Sequence, residues 1–443
     1  MTPIIRQLSN FYGDLRGYGR GRIRSEVARS CLMSADELKL LTEELFQHRV
    51  RSALDRFPAY ADRVRKHFGE IPEAGRRIVP AALPVWTRQD QCALFLSLPG
   101  APVPGSFVHA TGGSTGEPTR FYATRESYEW RSAVADRGYS WAGAEEGRTS
   151  YYVWGSPIKP LPALRRLKVD LEHMIQRRRY FDSFLFNEAR KRSCCHEINR
   201  FKPGALVGYA GNLVDLAFYV RARAGVLRWK AHSLVTGAEG LQPGQRELLE
   251  ETLADEVFMS YGSREFMLIG MECSHHKGYH VSSDNLFVEV VDEAGQPMAP
   301  GQTGRILVTD LRNEANPFVR YEIGDLGAWA TEPCSCGLPF PLLARVEGRI
   351  QEYLVAADGA RMTALFIPHL MKEFVWIRGY QLEQERVGMV RVNVLSDEDP
   401  GVSAVNDLVA ALQAKLGMKT RVDVVRVSAL QKSASGKVPI VLR

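Results

Sequence analysis

The segment from His109 to Thr119 (HATGGSTGEPT) sets glycines at 112, 113 and 116 among the hydroxyls of Thr111, Ser114 and Thr115. Glycines free the backbone to turn its N–H groups inward, and with neighbouring hydroxyls they can wrap phosphate oxygens. The segment is not a P-loop, because the GxxxxGK[ST] spacing and its lysine are absent. Taken alone, it also suits a plain surface loop.

A second constellation has the composition of a metal site. Cys273 is followed seven residues later by His280, and Cys334-x-Cys336 follows after a longer gap. Three cysteines and one histidine make a closed tetrahedral set of the structural zinc type. The CxC spacing is tighter than the usual CxxC, His275 and His276 compete as ligands, and the alternative is a group of buried free thiols beside a polar histidine.

Several elements must position these groups. Residues 34–70 read as helices, with Ser34 as N-cap, Glu37 three places on, and an apolar stripe through Leu40, Leu41 and Leu45. Gly105–Ala110 and FYAT (121–124) read as strands flanking the glycine loop, followed by a helix from Arg125 to about Trp141. From 150 to 350, short apolar runs (TSYYVWG, GALVGYAG, HSLVTGAEG, EVFMSYGSRE) alternate with helical stretches, which predicts an α/β sheet with ligand loops at strand ends. The stretch NLFVEVVDEAGQPMAPGQTGRILVTDL has the period-two pattern of paired strands. Near 348 the pattern resets to strand, helix, strand. The helix over 402–416 carries Val402, Val405, Leu408, Val409, Leu412 and Leu416 on one stripe and stops at Gly417.

A length of 443 residues favours two unequal domains, expected at 1–348 and 349–443. Lys and Arg exceed Asp and Glu by 57 to 51, a net +6 that suits anionic small molecules but is too diffuse for nucleic acid. The basic clusters Arg16–Arg24 and Arg165–Arg179 read first as solvated faces, with anionic ligands or partners as the alternative. No stretch has the length and apolarity of a membrane span, and the N-terminus lacks a signal peptide's apolar core. A cytoplasmic protein is expected, with its seven cysteines as free thiols or ligands, and either monomer or homodimer is allowed.

Further blocks give the glycine loop a context. In order they are Thr236-Gly-Ala-Glu239, Tyr261-Gly-Ser-Arg-Glu265, Arg320-Tyr-Glu-Ile-Gly-Asp325, Glu347-Gly-Arg349 and Ser433-Ala-Ser-Gly-Lys437. Together with HATGGSTGEPT they resemble the ordered motifs of the adenylate-forming superfamily, the acyl-CoA synthetases and their relatives. The resemblance runs from about residue 35 to 440. It is strongest to the phenylacetate-CoA ligase and CapK branch, which includes deazaflavin-coenzyme adenylyltransferases, and 178–209 looks most like the CapK side.

The resemblance implies an α/β fold: a large N-terminal adenylate-forming domain with layered sheets plus a small, mobile α+β C-terminal domain. It implies ATP-dependent adenylation of a small carboxylic acid, then acyl transfer to the thiol of coenzyme A or an acyl carrier protein. Thr111, Gly112, Gly113, Ser114, Thr115 and Gly116 would hold phosphate, and Ala238 and Glu239 would line the adenine pocket. Tyr261 would stack on adenine beside Gly262, Ser263 and Arg264, and Glu265 would hold Mg2+. Asp325 would grip the ribose, Arg349 would face ribose and phosphate, and Lys437 would enter the site during adenylation. The same branch shows a Cys…His…CxC pattern where Cys273, His280, Cys334 and Cys336 stand, which favours structural zinc.

Two positions depart from the pattern. Arg264 stands where a Thr or Ser is usual, and Gln351 where the hinge carries an acid. Tyr151, Tyr152, Trp154, Tyr209 and His232 fall in segments that could line the acid pocket, although each aromatic reads more readily as core than as pocket. Three rival readings keep the motifs: an adenylyltransferase acting on a cofactor or sugar, an acyl-activating enzyme of capsular polysaccharide synthesis, and a degenerate nucleotide-binding protein.

Overall fold

The computed structural model describes residues 2–69, 75–111, 119–155, 162–183, 186–241, 243–347, 353–359, 361–371, 373–377, 379–396, 398–431 and 440–442. Two compact units divide the chain, and neither is a continuous stretch of it.

The first unit comprises 1–110, 120–148 and 258–349. Its sheet is antiparallel throughout, in the order Leu286–Val291, Gly304–Asp310, Tyr321–Trp329, Leu342–Glu347, Tyr279–Val281, Met267–Met271, and the end of Ala254–Ser263. The period-two run over 285–311 forms the first pair, in register from Leu286↔Asp310 to Val291↔Arg305. Phe46, Phe57, Tyr60 and Trp86 from the helical N-terminal part close over Phe266, Ile306, Phe318 and Tyr321 to make the core.

The helix Ala35–Arg56 starts as the sequence predicts: Ser34 and Glu37 form a reciprocal capping box. Its buried face differs from the expected one. Leu40 is 61% exposed, and Leu38, Thr42, Phe46, Arg49, Val50 and Ala53 turn inward. A charged and a hydroxyl residue belong to that face because their polar atoms find main-chain partners: Arg49 donates to the carbonyls of Asp310 and Asn316, and Thr42 to that of Ser283. The basic cluster near the N-terminus is also paired: Arg20 bonds Glu129, Arg22 bonds Glu26 and Glu126, and Arg24 bonds Glu146. It is therefore an ion-pair network on the helix Arg20–Ser30, where a solvated face was expected.

The second unit comprises 111–119, 149–257 and 350–443. Its parallel strands run in the order Ala231–Gly237, Ala205–Tyr209, Ser150–Trp154, Arg178–Asp182, each crossover carrying a helix, as parallel pairing requires. The C-terminal part adds the hairpin Tyr353–Val355/Arg361–Thr363. It also adds a four-stranded sheet in the order Arg421–Arg426, Met389–Leu395, Gly379–Arg386, Val441–Leu442. The helix Gly401–Leu416 buries Leu408, Leu412 and Leu416 as predicted, while Val402 is 78% exposed. Gly417 ends it with φ +89, a conformation glycine alone takes without strain.

Candidate functional site

The strands Phe107–Ala110 and Arg120–Ala123 pair antiparallel on either side of the glycine loop. At its base the Thr111 N–H donates to the Thr119 carbonyl (2.9 Å), and the Thr119 N–H donates to Thr111 Oγ1 (3.1 Å). Thr111 thus clamps the loop while its hydroxyl proton stays available to an acceptor. Gly112, Gly113, Ser114, Thr115 and Gly116 lie outside the described residues, as do Arg349, Gln351 and Lys437.

His109 received no role from the sequence, although it opens the motif. Its ring lies near-parallel to Phe121 (5.6 Å) and Tyr128 (6.1 Å), and its Nε2 is buried with no hydrogen-bond partner among the described residues. Burial pushes its pKa down, and the positive charges of Arg131 and Arg264 push it further the same way. A neutral imidazole therefore stands at the entry to the loop.

The turn joining Ala254–Ser263 to Met267–Met271 carries the Tyr261–Glu265 block. The Tyr261 hydroxyl donates to the Asp325 carboxylate at 3.1 Å, which brings two blocks sixty-four residues apart together. Burial, then the charge of Asp325, raises the Tyr261 pKa, so the phenol stays protonated and donating. Glu265 is half-buried, and its charge also acts on that hydroxyl. Ser263 Oγ accepts the Phe266 N–H at 3.3 Å, and Arg264 is exposed. Gly262 has a structural reason of its own: a Cβ there would stand 2.1 Å from the Met267 carbonyl oxygen.

Arg320 opens the block that ends at Asp325, yet it is only 1% exposed. Its guanidinium donates to Glu289 (3.0 Å) and to the carbonyls of Leu83 (2.6 Å) and Gly295 (2.6 Å). Three acceptors in three directions need the planar fork of arginine. Arg320→Lys should therefore lower stability by about 1–3 kcal/mol through unsatisfied acceptors, read as a shifted urea midpoint at unchanged slope. Wild-type stability with lost ATP binding would instead place this side chain on the nucleotide.

In the second unit Ala238 takes a left-handed backbone (φ 69) after the strand Ala231–Gly237. The Glu239 carboxylate accepts the Gly211 N–H (2.8 Å) in the first turn of Ala210–Arg221, where the helix dipole favours an anion. The aromatics of the segments that could line a pocket are largely core, the reading the sequence favours. Tyr151 is fully buried and donates to Glu197 (2.9 Å), Tyr152 stacks on Tyr180 (4.6 Å), and Tyr209 belongs to the C-terminal hydrophobic cluster with Trp154 against it. His232 faces solvent beside Asp255 (3.5 Å).

The lysine loop is described at its two ends. Gln381 exchanges hydrogen bonds with the Gln431 main chain, both at 3.0 Å, and the Leu382 N–H donates to the Ile440 carbonyl at 2.8 Å. The strand Gly379–Arg386 therefore grips the chain on each side of 432–439.

Cys273, His280, Cys334 and Cys336 place one ligand atom each within 4.8 Å of one another. Cys273 Sγ is 3.8 Å from Cys334 Sγ, too far for a disulfide and the ~3.8 Å edge of a tetrahedron with ~2.3 Å metal–sulfur bonds. His280 Nδ1 donates to the Phe340 carbonyl (3.1 Å), which leaves the Nε2 lone pair 3.3 Å from Cys336 Sγ. Burial pushes His280 down, as a neutral ligand requires, and pushes Cys273 up to about 12 and Cys336 up. Main-chain N–H groups of His275 and Leu338 aim at Cys273 Sγ and Cys336 Sγ, both at 3.4 Å. The competing histidines are engaged elsewhere: His275 with Ser335 (2.9 Å), His276 with Glu272 (3.2 Å). This donor set fits zinc.

Comparison with known proteins gives the fold its class. A 2-hydroxyisobutyryl-CoA ligase, solved with 2-HIB-AMP and CoA in the thioesterification state, aligns at TM-score 0.62 and 19% identity over 93% of this chain and 90% of that one. The same ligase in the postadenylation state gives 0.59 over 94% and 91%. The fold is that of the adenylate-forming enzymes.

Sequence relatives narrow the branch. Phenylacetate-coenzyme A ligase of Thermus thermophilus is 25% identical over 339 residues, 72% of either chain. That of Pseudomonas putida is 26% identical over 260 residues, 56% of this chain and 55% of the relative. Residues 354–443 match the CapK C-terminal domain. The chain is thus similar to phenylacetate-CoA ligases over most of its length, with the CapK match at its C-terminal end.

Proposed function

We propose that this protein is an AMP-forming acid–thiol ligase, joining a carboxylic acid to AMP and then passing the acyl group to coenzyme A or a carrier-protein thiol. The observation that carries the reading is the Tyr261–Asp325 hydrogen bond, with Glu265 beside it, in a fold shared with a ligase solved with an acyl-AMP. Tyr261, Ala238 and Glu239 would border adenine, Asp325 the ribose hydroxyls, and the 111–116 loop the phosphates. Arg264 and Arg349 add positive charge where the phosphate becomes more negative. Glu265 would hold Mg2+, whose charge offsets that of the departing pyrophosphate. The Cys273, His280, Cys334 and Cys336 set would hold zinc with no open position, so its part is to tie the 273–280 and 334–336 segments together. We take residues 349–443 as the mobile domain that delivers Lys437. Seven free cysteines suit a reducing, cytoplasmic location, and among the described residues no helix is long and apolar enough to cross a membrane.

The test is a panel of carboxylic acids with ATP and magnesium, following pyrophosphate with and without coenzyme A and weighing the products. The expected result is acid-dependent release that ends in an acyl-CoA or, with a carrier protein added, an acyl-carrier thioester. AMP found on a hydroxyl or phosphate would replace the ligase with an adenylyltransferase. ATP binding with no release across the panel would leave a nucleotide-binding protein without turnover.

A further inference from the structure

The helix Ala163–Ile175 belongs to the second unit, and its charged residues Arg166, Asp170 and Glu172 are exposed. Val169 and His173 are half-buried, and the His173 ring stacks on Tyr180 at 4.3 Å. Leu167 (66%), Leu171 (50%), Met174 (67%) and Ile175 (46%) are exposed instead. Spacings of four and three place the first three on one stripe, with Ile175 at its margin. The strand that follows, Arg178–Asp182, is the outermost of the parallel strands. Around this stripe the chain is basic: residues 165–179 hold six Lys or Arg against Asp170 and Glu172, a difference of +4. Arg166 and Arg179 are exposed, and Arg177 is half-exposed.

We infer that this helix is a peripheral anchor for an anionic lipid surface, its apolar stripe entering the acyl boundary while its arginines meet the headgroups. An apolar stripe with a cationic flank and low overall hydrophobicity is the form of helix that lies in a membrane interface. Charge selects the occupant. A second copy meeting this patch across a twofold axis would set the same arginines against each other, whereas anionic headgroups neutralise them. Shape agrees, because the stripe is one convex helix face of four side chains. A specific protein interface needs about 800 Å² from each partner, while a bilayer needs no matching groove.

The experiment is co-sedimentation of the full chain with phosphatidylglycerol/phosphatidylcholine vesicles and, separately, with phosphatidylcholine alone. The protein should pellet with the anionic vesicles only. It should be released as ionic strength rises from about 0.1 M to about 1 M and the Debye length falls from about 10 Å to about 3 Å. The double variant L171E/M174E should partition about tenfold or more weakly with an unchanged melting temperature, since both positions are exposed; R166E, which keeps the stripe, should weaken anionic binding too. Failure to pellet with anionic vesicles, or equal pelleting with neutral ones, would overturn the anchor. So would a salt-sensitive complex with an acidic carrier protein that L171E/M174E abolishes while vesicles bind neither form, and so would a dimer in solution lost in the same variant.

Discussion

Lys437→Ala should lower acid-dependent pyrophosphate release by about 10²–10³-fold, the usual effect of removing one preorganised group that meets developing charge. Conversion of a supplied acyl-AMP and coenzyme A to the thioester should stay near the wild-type rate. Carboxylate attack gathers negative charge on the α-phosphate and its leaving group, and an ammonium delivered there stabilises that charge only in the first half-reaction. Thiol attack on the acyl carbon makes no such demand on it. The fold is consistent with delivery by a loop: Gln381 and Leu382 hold Gln431 and Ile440 at the two ends of 432–439. Lys437→Arg should recover little, because a planar fork does not reproduce a compact point charge. The checks are separate assays of the two half-reactions. Loss of both would make the lysine structural, and unchanged pyrophosphate release would assign adenylation elsewhere.

Motifs whose chemistry depends on local spacing were legible in the sequence. The Ser34–Glu37 box, the strands flanking the glycine loop and the helix Arg125–Trp141 all lie where pattern places them. So does the Cys/His set, because ligand types are few and their geometry is strict. What pattern missed depends on partners distant in sequence. Arg49 looks like a surface residue until the Asp310 and Asn316 carbonyls are brought to it. Arg320 looks like part of a nucleotide motif until Glu289, Leu83 and Gly295 surround it. The strand Gly379–Arg386 went unread because Gln381, at a core position, is satisfied by Gln431 fifty residues on. Thr111 and Gly262 show the same limit inside the motifs. Each has a folding role, a loop clamp and a tight turn, that spacing alone does not separate from ligand binding.

Cys336→Ser should remove the bound metal and a large part of the first unit's stability. Structural zinc sites have apparent binding free energies on the order of 10 kcal/mol at neutral pH, and that energy is lost to folding when a ligand goes. Metal per chain should fall from about one to near zero, with a melting point lowered to that of the chelator-treated wild type. Acidity supplies a second readout. Without metal, burial raises the Cys273 pKa to about 12 and raises that of Cys336, so both thiols hold protons at neutral pH. Zinc must displace the protons of its thiol ligands, and Cys273 and Cys336 alone weaken apparent affinity by about 100-fold for each pH unit of acidification. The metal-free protein behaves in the opposite sense. A thiol whose folded-state pKa is raised contributes stability that is fully present below the unfolded value of about 8.5 and is lost as pH rises from there towards about 12. Between pH 6 and pH 8 the thiols leave the chelated protein level, and only its lowered histidines, His109, His173 and His280, add stability as pH rises through about 6.5. The metal-loaded protein should gain more steeply. If Cys336→Ser leaves the metal count unchanged, or chelation leaves the melting point unchanged, the cluster is a set of buried thiols, and only the alkaline loss should remain.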